Sequence, residues 1–86
     1  MTKETWTATA VDSVILAADA SRIEVDLQYA SGDYAYLGFG EATVYGQGIR
    51  MSPTSGFLKV SDSRAKMAIH MICNTGCTAS GGYQTA

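Results

Sequence analysis

No stretch of this chain keeps apolar residues at the i, i+3, i+4, i+7 spacing of an amphipathic helix, because Gly, Ser and Thr interrupt every candidate. The rhythm that does recur has a period of two. It is clearest in Ile23-Glu24-Val25-Asp26-Leu27-Gln28-Tyr29, where odd positions are apolar and even positions polar, as a strand with one face on a core and one in water requires. The segment lies between Asp19-Ala-Ser-Arg22 and Ala30-Ser-Gly-Asp33, both rich in residues that bond their own backbone in turns or tolerate positive φ. A chain patterned this way is confined to an all-β fold.

The same reasoning extends along the sequence. Tyr34-Ala-Tyr-Leu-Gly-Phe39 is short, aromatic and bounded by glycine, so residues 23–29 and 34–39 predict a hairpin with a loop of about four residues. Residues 5–11 and 13–17 predict two strands broken near Asp12. Thr43-Val-Tyr45 and Ile49-Arg-Met51 flank Gly46-Gln-Gly48, and Phe57-Leu-Lys-Val60 follows the single proline, Pro53, in a Ser-Pro-Thr-Ser-Gly turn. Residues 66–73 are apolar on both faces except at His70, the pattern of a central or doubly covered strand. Six to eight short strands at these spacings predict a small antiparallel β-sandwich or barrel, jelly-roll or Greek-key-like. One domain spans 1–86, with a core of about 11–73. Residues 1–10 and the poorly packing segment 74–86 are expected to be extended terminal arms.

Size and charge shape the functional reading. An 86-residue chain buries only about 60 to 65% of its unfolded surface, so an isolated monomer is expected to be marginal. Only 16% of residues are charged, against about 25% in an average soluble domain, which leaves surface for other copies or partners to cover. The net charge is −2 and the six Lys and Arg are scattered, which argues against a phosphate footprint and so against nucleic acid. No apolar run has the length of a membrane span, and the first residues lack the apolar centre of a secretion signal. A cytosolic start is expected, where the two cysteines remain thiols.

Few residues suggest chemistry. His70, Cys73 and Cys77 have the spacing of a zinc corner, but a structural site wants four ligands, and on a strand His70 and Cys73 point to opposite faces. They read as packed thiols and a hydrogen-bonded histidine, and a Cys–His nucleophile pair lacks a group to orient the imidazole. Glu24 with Asp26, or Asp33 with Glu41, could form a carboxylate pair or calcium site; the simpler reading is acids on a wet strand face that discourage stray pairing. Gly38-Phe-Gly40 and Gly46-Gln-Gly48 complete no phosphate-cradling motif and read as turn glycines. Arg22, Arg50 and Arg64 read as single surface or inter-subunit ion-pair donors. With no catalytic, metal-binding or cofactor-binding set, the expectation is a protein that is not an enzyme. The candidate interaction residues are Trp6, Tyr34, Tyr36, Tyr45 and Tyr83, amphipathic rings that bury large area at low entropic cost.

Three motifs carry a resemblance: Val14-Ile-Leu-Ala-Ala-Asp-Ala-Ser-Arg22, Tyr34-Ala-Tyr-Leu-Gly-Phe-Gly40 and Gly46-Gln-Gly-Ile-Arg-Met51, with Gly56 as a late glycine. In this order, over roughly residues 11–72, the chain resembles small all-β virion structural proteins of tailed bacteriophages, and departs from them in its Thr-rich start and its Cys-containing Gly/Ser tail. The resemblance implies a capsid decoration, cement or head-fibre-base role, with the major capsid protein as partner. It implies assembly in the host bacterial cytoplasm, a place on the outer capsid surface, and no catalytic residues or cofactor. Self-association as a dimer or trimer is expected, with the two arms lying along neighbouring subunits and Trp6 and Tyr83 as their anchors. The competing expectation is a carbohydrate or receptor-binding module on a phage fibre or tail, using Tyr34, Tyr36 and Tyr45.

Overall fold

The computed structural model describes residues 1–32, 34–52 and 56–86. Asp33 and residues 53–55 lie outside the described residues, and with them the proline turn and one member of the Asp33–Glu41 pair. Eight strands follow one another: β1 (Thr2–Ala8), β2 (Ser13–Leu16), β3 (Arg22–Gly32), β4 (Ala35–Phe39), β5 (Ile49–Met51), β6 (Phe57–Val60), β7 (Ile69–Cys73) and β8 (Cys77–Thr85). One turn of 3-10 helix, Ser63–Lys66, precedes β7 and is capped by Asp62, whose side chain accepts from the Arg64 backbone N–H.

The strands form two antiparallel four-stranded sheets, in the orders β1-β8-β3-β6 (sheet A) and β2-β7-β4-β5 (sheet B). The architecture is all-β and sandwich-like, and the barrel alternative is corrected because neither sheet closes on itself. Period two places the core as the alternation predicts. Val25 and Leu27 of β3 meet Leu37 of β4, Ile69 and Met71 of β7, and Met51, Val60, Ala65 and Ala79, all essentially inaccessible. Each of the larger aliphatic side chains contributes roughly 1.5–3 kcal/mol by leaving water.

The arms are the main correction. Residues 77–85 form β8, a central strand paired with both β1 and β3 over most of its length, and residues 2–8 form β1 beside it. The small residues that made this tail look unable to pack are what admit it between two strands. A Cβ on Gly81 would stand 1.9 Å from the Asp26 carbonyl oxygen, and one on Gly82 would stand 2.3 Å from that of Thr2. Only residues without a side chain tolerate such an approach.

The hairpin between residues 23–29 and 34–39 is likewise corrected, since β3 belongs to sheet A and β4 to sheet B. Of the consecutive strands, only β4 and β5 share a sheet. Pairing here is long-range, and no local turn signal reports it. Residues 43–45 form no strand.

The β3 alternation also fails at its first residues. A register shift between Arg22 and Glu24 opposite β8 turns Ile23 outward, 41% exposed, and Arg22 inward, 2% exposed. Far from being a surface ion-pair donor, the Arg22 guanidinium donates to the carbonyl oxygens of Ala65, Ala17 (3.0 Å) and Met67 (2.8 Å). It thereby ties the β2–β3 connection to the 3-10 turn.

Candidate functional site

The outer face of sheet B is where the sequence-predicted aromatic residues converge. On β4, Ala35 and Leu37 face the core, so Tyr36 and Gly38 face out; on β7, His70 and Ile72 face out while Ile69, Met71 and Cys73 face in. The register aligns Tyr36 with Ile72 and Arg50, and Gly38 with His70.

Gly38 makes room for the chain that follows it. A Cβ there would come within 3.0 Å of the Glu41 carbonyl oxygen and the Thr43 methyl. At this bare position the β4–β5 connection folds back across the sheet. Thr43 is pinned there by Asp12, which accepts both its backbone N–H at 2.7 Å and its hydroxyl. This explains why residues 43–45 are not a strand: Thr43 gives its main-chain donor to a side chain instead of a neighbouring strand. Ile72 points outward yet is buried, as expected beneath a returning loop.

The same carboxylate holds His70, whose Nδ1 lies 3.0 Å from Oδ2 and 3.2 Å from Oδ1 of Asp12. The Asp12 carboxyl is held at about 2, below its usual 3.8, first by the Thr43 hydroxyl and then by the Thr43 N–H; burial opposes this, and the His70 ring contributes less than any of these. One carboxylate thus holds both the returning loop and the His70 ring. Cys73 points into the core from the opposite face of β7, where its thiol donates to the Ala8 carbonyl at 3.3 Å. The arrangement is a structural clasp.

Above this clasp lie the rings. Tyr45, carried by the clamped loop, meets Tyr36 edge to face with centroids 5.0 Å apart and planes at 71°. The Arg50 guanidinium sits 5.0 Å from the Tyr34 ring centroid. Tyr34 and Tyr45 are each 44% exposed, and Val44 beside them is also open to solvent. Tyr34, Tyr36, Tyr45 and Arg50 thus form one patch, amphipathic and partly solvent-facing.

Trp6 and Tyr83 belong elsewhere. Trp6 is 6% exposed and points from β1 into the core, and Tyr83 packs partly buried from β8, its ring 6.0 Å from the Arg22 guanidinium carbon. As inward-facing residues of sheet A they anchor strands of their own molecule, which corrects their expected place on arms. Asp12, Thr43 and the stacking role of Arg50 were missed from sequence. The readable hint was Gly38, a glycine at an outward position where a strand gains nothing from one.

Compared with protein-family models, with curated proteins and with solved structures, the chain has no match.

Proposed function

We propose that this chain is a non-enzymatic virion structural protein, a small jelly roll that binds and stabilises a tailed-phage capsid from its outer surface. The strand orders 1-8-3-6 and 2-7-4-5 support the jelly-roll reading, an architecture used by viral capsid and lectin domains alike. Fold alone does not assign the role.

The observation that carries the reading is the patch on sheet B. Its rings are turned onto one another and onto Arg50, so it is preorganised, with little side-chain freedom left to lose on association. Tyrosine and arginine are the residue types that anchor protein interfaces. On this reading the major capsid protein, or a second copy within a dimer or trimer, meets a fixed face rather than a wrapping arm.

A carbohydrate or receptor-binding module of a fibre or tail remains the second reading, favoured by the gathering of Tyr34, Tyr36 and Tyr45 on one side. The Tyr36–Tyr45 pair is edge to face and Arg50 stacks on Tyr34, so the patch mixes rings with a cation in the way protein interfaces do, and protein docking is the stronger use of it.

The test is sedimentation with phage heads. Heads of a phage carrying this chain should contain it, and heads stripped of it should rebind the purified protein. A Tyr36→Ala/Arg50→Ala variant with an unchanged circular dichroism spectrum should rebind poorly. Absence of the chain from purified heads, or undiminished rebinding by the variant, would refute the proposal.

A further inference from the structure

The outer face of sheet A holds a trough of about 610 Å³ that the docking proposal does not use. Its shape follows from register. One row across the sheet runs Thr5, Ser80, Gln28, Phe57, and the next runs Lys3, Gly82, Asp26, Lys59. With neighbouring strands roughly 4.8 Å apart, four strands span about 14 Å, and the two rows lie about 7 Å from each other. The central strand contributes only a serine and a glycine, so the floor is low and the side chains of β1, β3 and β6 stand above it. Met1 closes the Gly82 end: a Cβ on that glycine would meet the methionine Cγ at 3.1 Å.

The chemistry of the walls selects a ligand class. Phe57 is 64% exposed, the most open aromatic side chain among the described residues, and offers a ring to a ligand with an apolar face. Thr5, Gln28 and Ser80 supply hydroxyl and amide groups that both donate and accept. Asp26 has one carboxylate oxygen shielded from solvent with no hydrogen-bond partner among the described residues, so the group is under-satisfied and gains from a donor. Lys3 stands beside Glu4 and Asp26, and Lys59, across from Asp26, is paired with Glu24 at 3.2 Å, so the charges offset one another and give no field to collect phosphates. The main chain of β8 is already paired with β1 and β3, so an extended peptide has no edge to join here. A polyhydroxylated ring with one C–H face fits these groups.

We infer that this trough binds a short neutral oligosaccharide, which stacks on Phe57 and donates hydroxyl hydrogen bonds to Asp26. The site lies on the sheet opposite the tyrosine patch, so it stands or falls independently of capsid docking. The probe is a printed array of neutral bacterial-surface and host glycans, followed by NMR titration of isotope-labelled protein with the strongest array hit. Amide shifts should fall on residues 3–5, 26–28, 57 and 80–82. Phe57→Ala should weaken binding by about tenfold, the scale of one lost ring contact, and Asp26→Asn should weaken it comparably. Both variants should keep the wild-type spectrum elsewhere, and added salt should leave affinity unchanged. A blank array, shifts that map to Tyr34 and Tyr36, or affinity indifferent to both substitutions would overturn the inference.

Discussion

Thr43 donates two hydrogen bonds to Asp12 across 31 positions of chain, one from its backbone and one from its hydroxyl. That contact carries the loop bearing Tyr45 onto Tyr36, so the stability of the clasp and the shape of the aromatic patch are one property. Because the Asp12 carboxyl titrates at about 2 instead of 3.8, the folded state favours its ionised form. The resulting stabilisation is complete above pH 4 and is lost as pH falls toward 2. Asp12→Asn should cost about 1–2 kcal/mol at neutral pH and flatten the acid limb of stability between these values. Urea melts across a pH series measure both. An unchanged acid limb would mean that the clasp does not form in solution.

Arg22 offers a second, independent test. Its planar fork reaches three carbonyls from two connections, a geometry that a lysine ammonium cannot reproduce. Arg22→Lys should therefore destabilise by about 1.5–3 kcal/mol, the worth of charged hydrogen bonds lost from a buried place. Arg64→Lys is the control, since Arg64 pairs with Asp62 at the surface at 3.1 Å and its replacement should change stability by less than about 1 kcal/mol.

The C-terminal segment gives the sharpest structural prediction. If residues 74–86 were an arm, deleting 77–86 would leave a folded body. As a central strand of sheet A, β8 is indispensable, and the truncated chain should show no cooperative melting transition. Gly81→Ala places a methyl against the Asp26 carbonyl and should lower the melting temperature of the full chain by about 10 °C or more, if it folds. Limited proteolysis of the intact protein should spare both ends.

These cases also separate what the sequence made legible from what it did not. The period-two run through Val25 and Leu27 encodes both an element and its buried face, because alternation is a local consequence of the pleat. Which strand lies beside it is a long-range fact: β3 takes β8 and β6 as neighbours, and neither is adjacent in sequence. The tail is hard to read because small residues suggest inability to pack, whereas between two close strands smallness is the requirement. Tyr34, Tyr36 and Tyr45 were legible as a group, as large rings on a chain with few of them. Arg50 and the clasp were not, since register and loop return decide their company.

The two cysteines provide a probe of cooperative opening. Cys73 and Cys77 are both buried and form no disulfide, and Cys73 is held by the Ala8 carbonyl of β1. Exposing the Cys73 thiol requires the sheets to separate where β7 gives way to β8, not the fraying of an end. A neutral alkylating reagent should therefore modify Cys73 only through global unfolding, with a rate that follows urea-measured stability as the protein is destabilised. Asp12→Asn, by weakening the clasp on the far face of sheet B, should accelerate labelling by the factor its loss of stability implies, about tenfold for each 1.4 kcal/mol. Rapid labelling of Cys73 in the wild-type protein, independent of urea, would show that the region opens locally and that β8 is less firmly placed than its pairing with β1 and β3 requires.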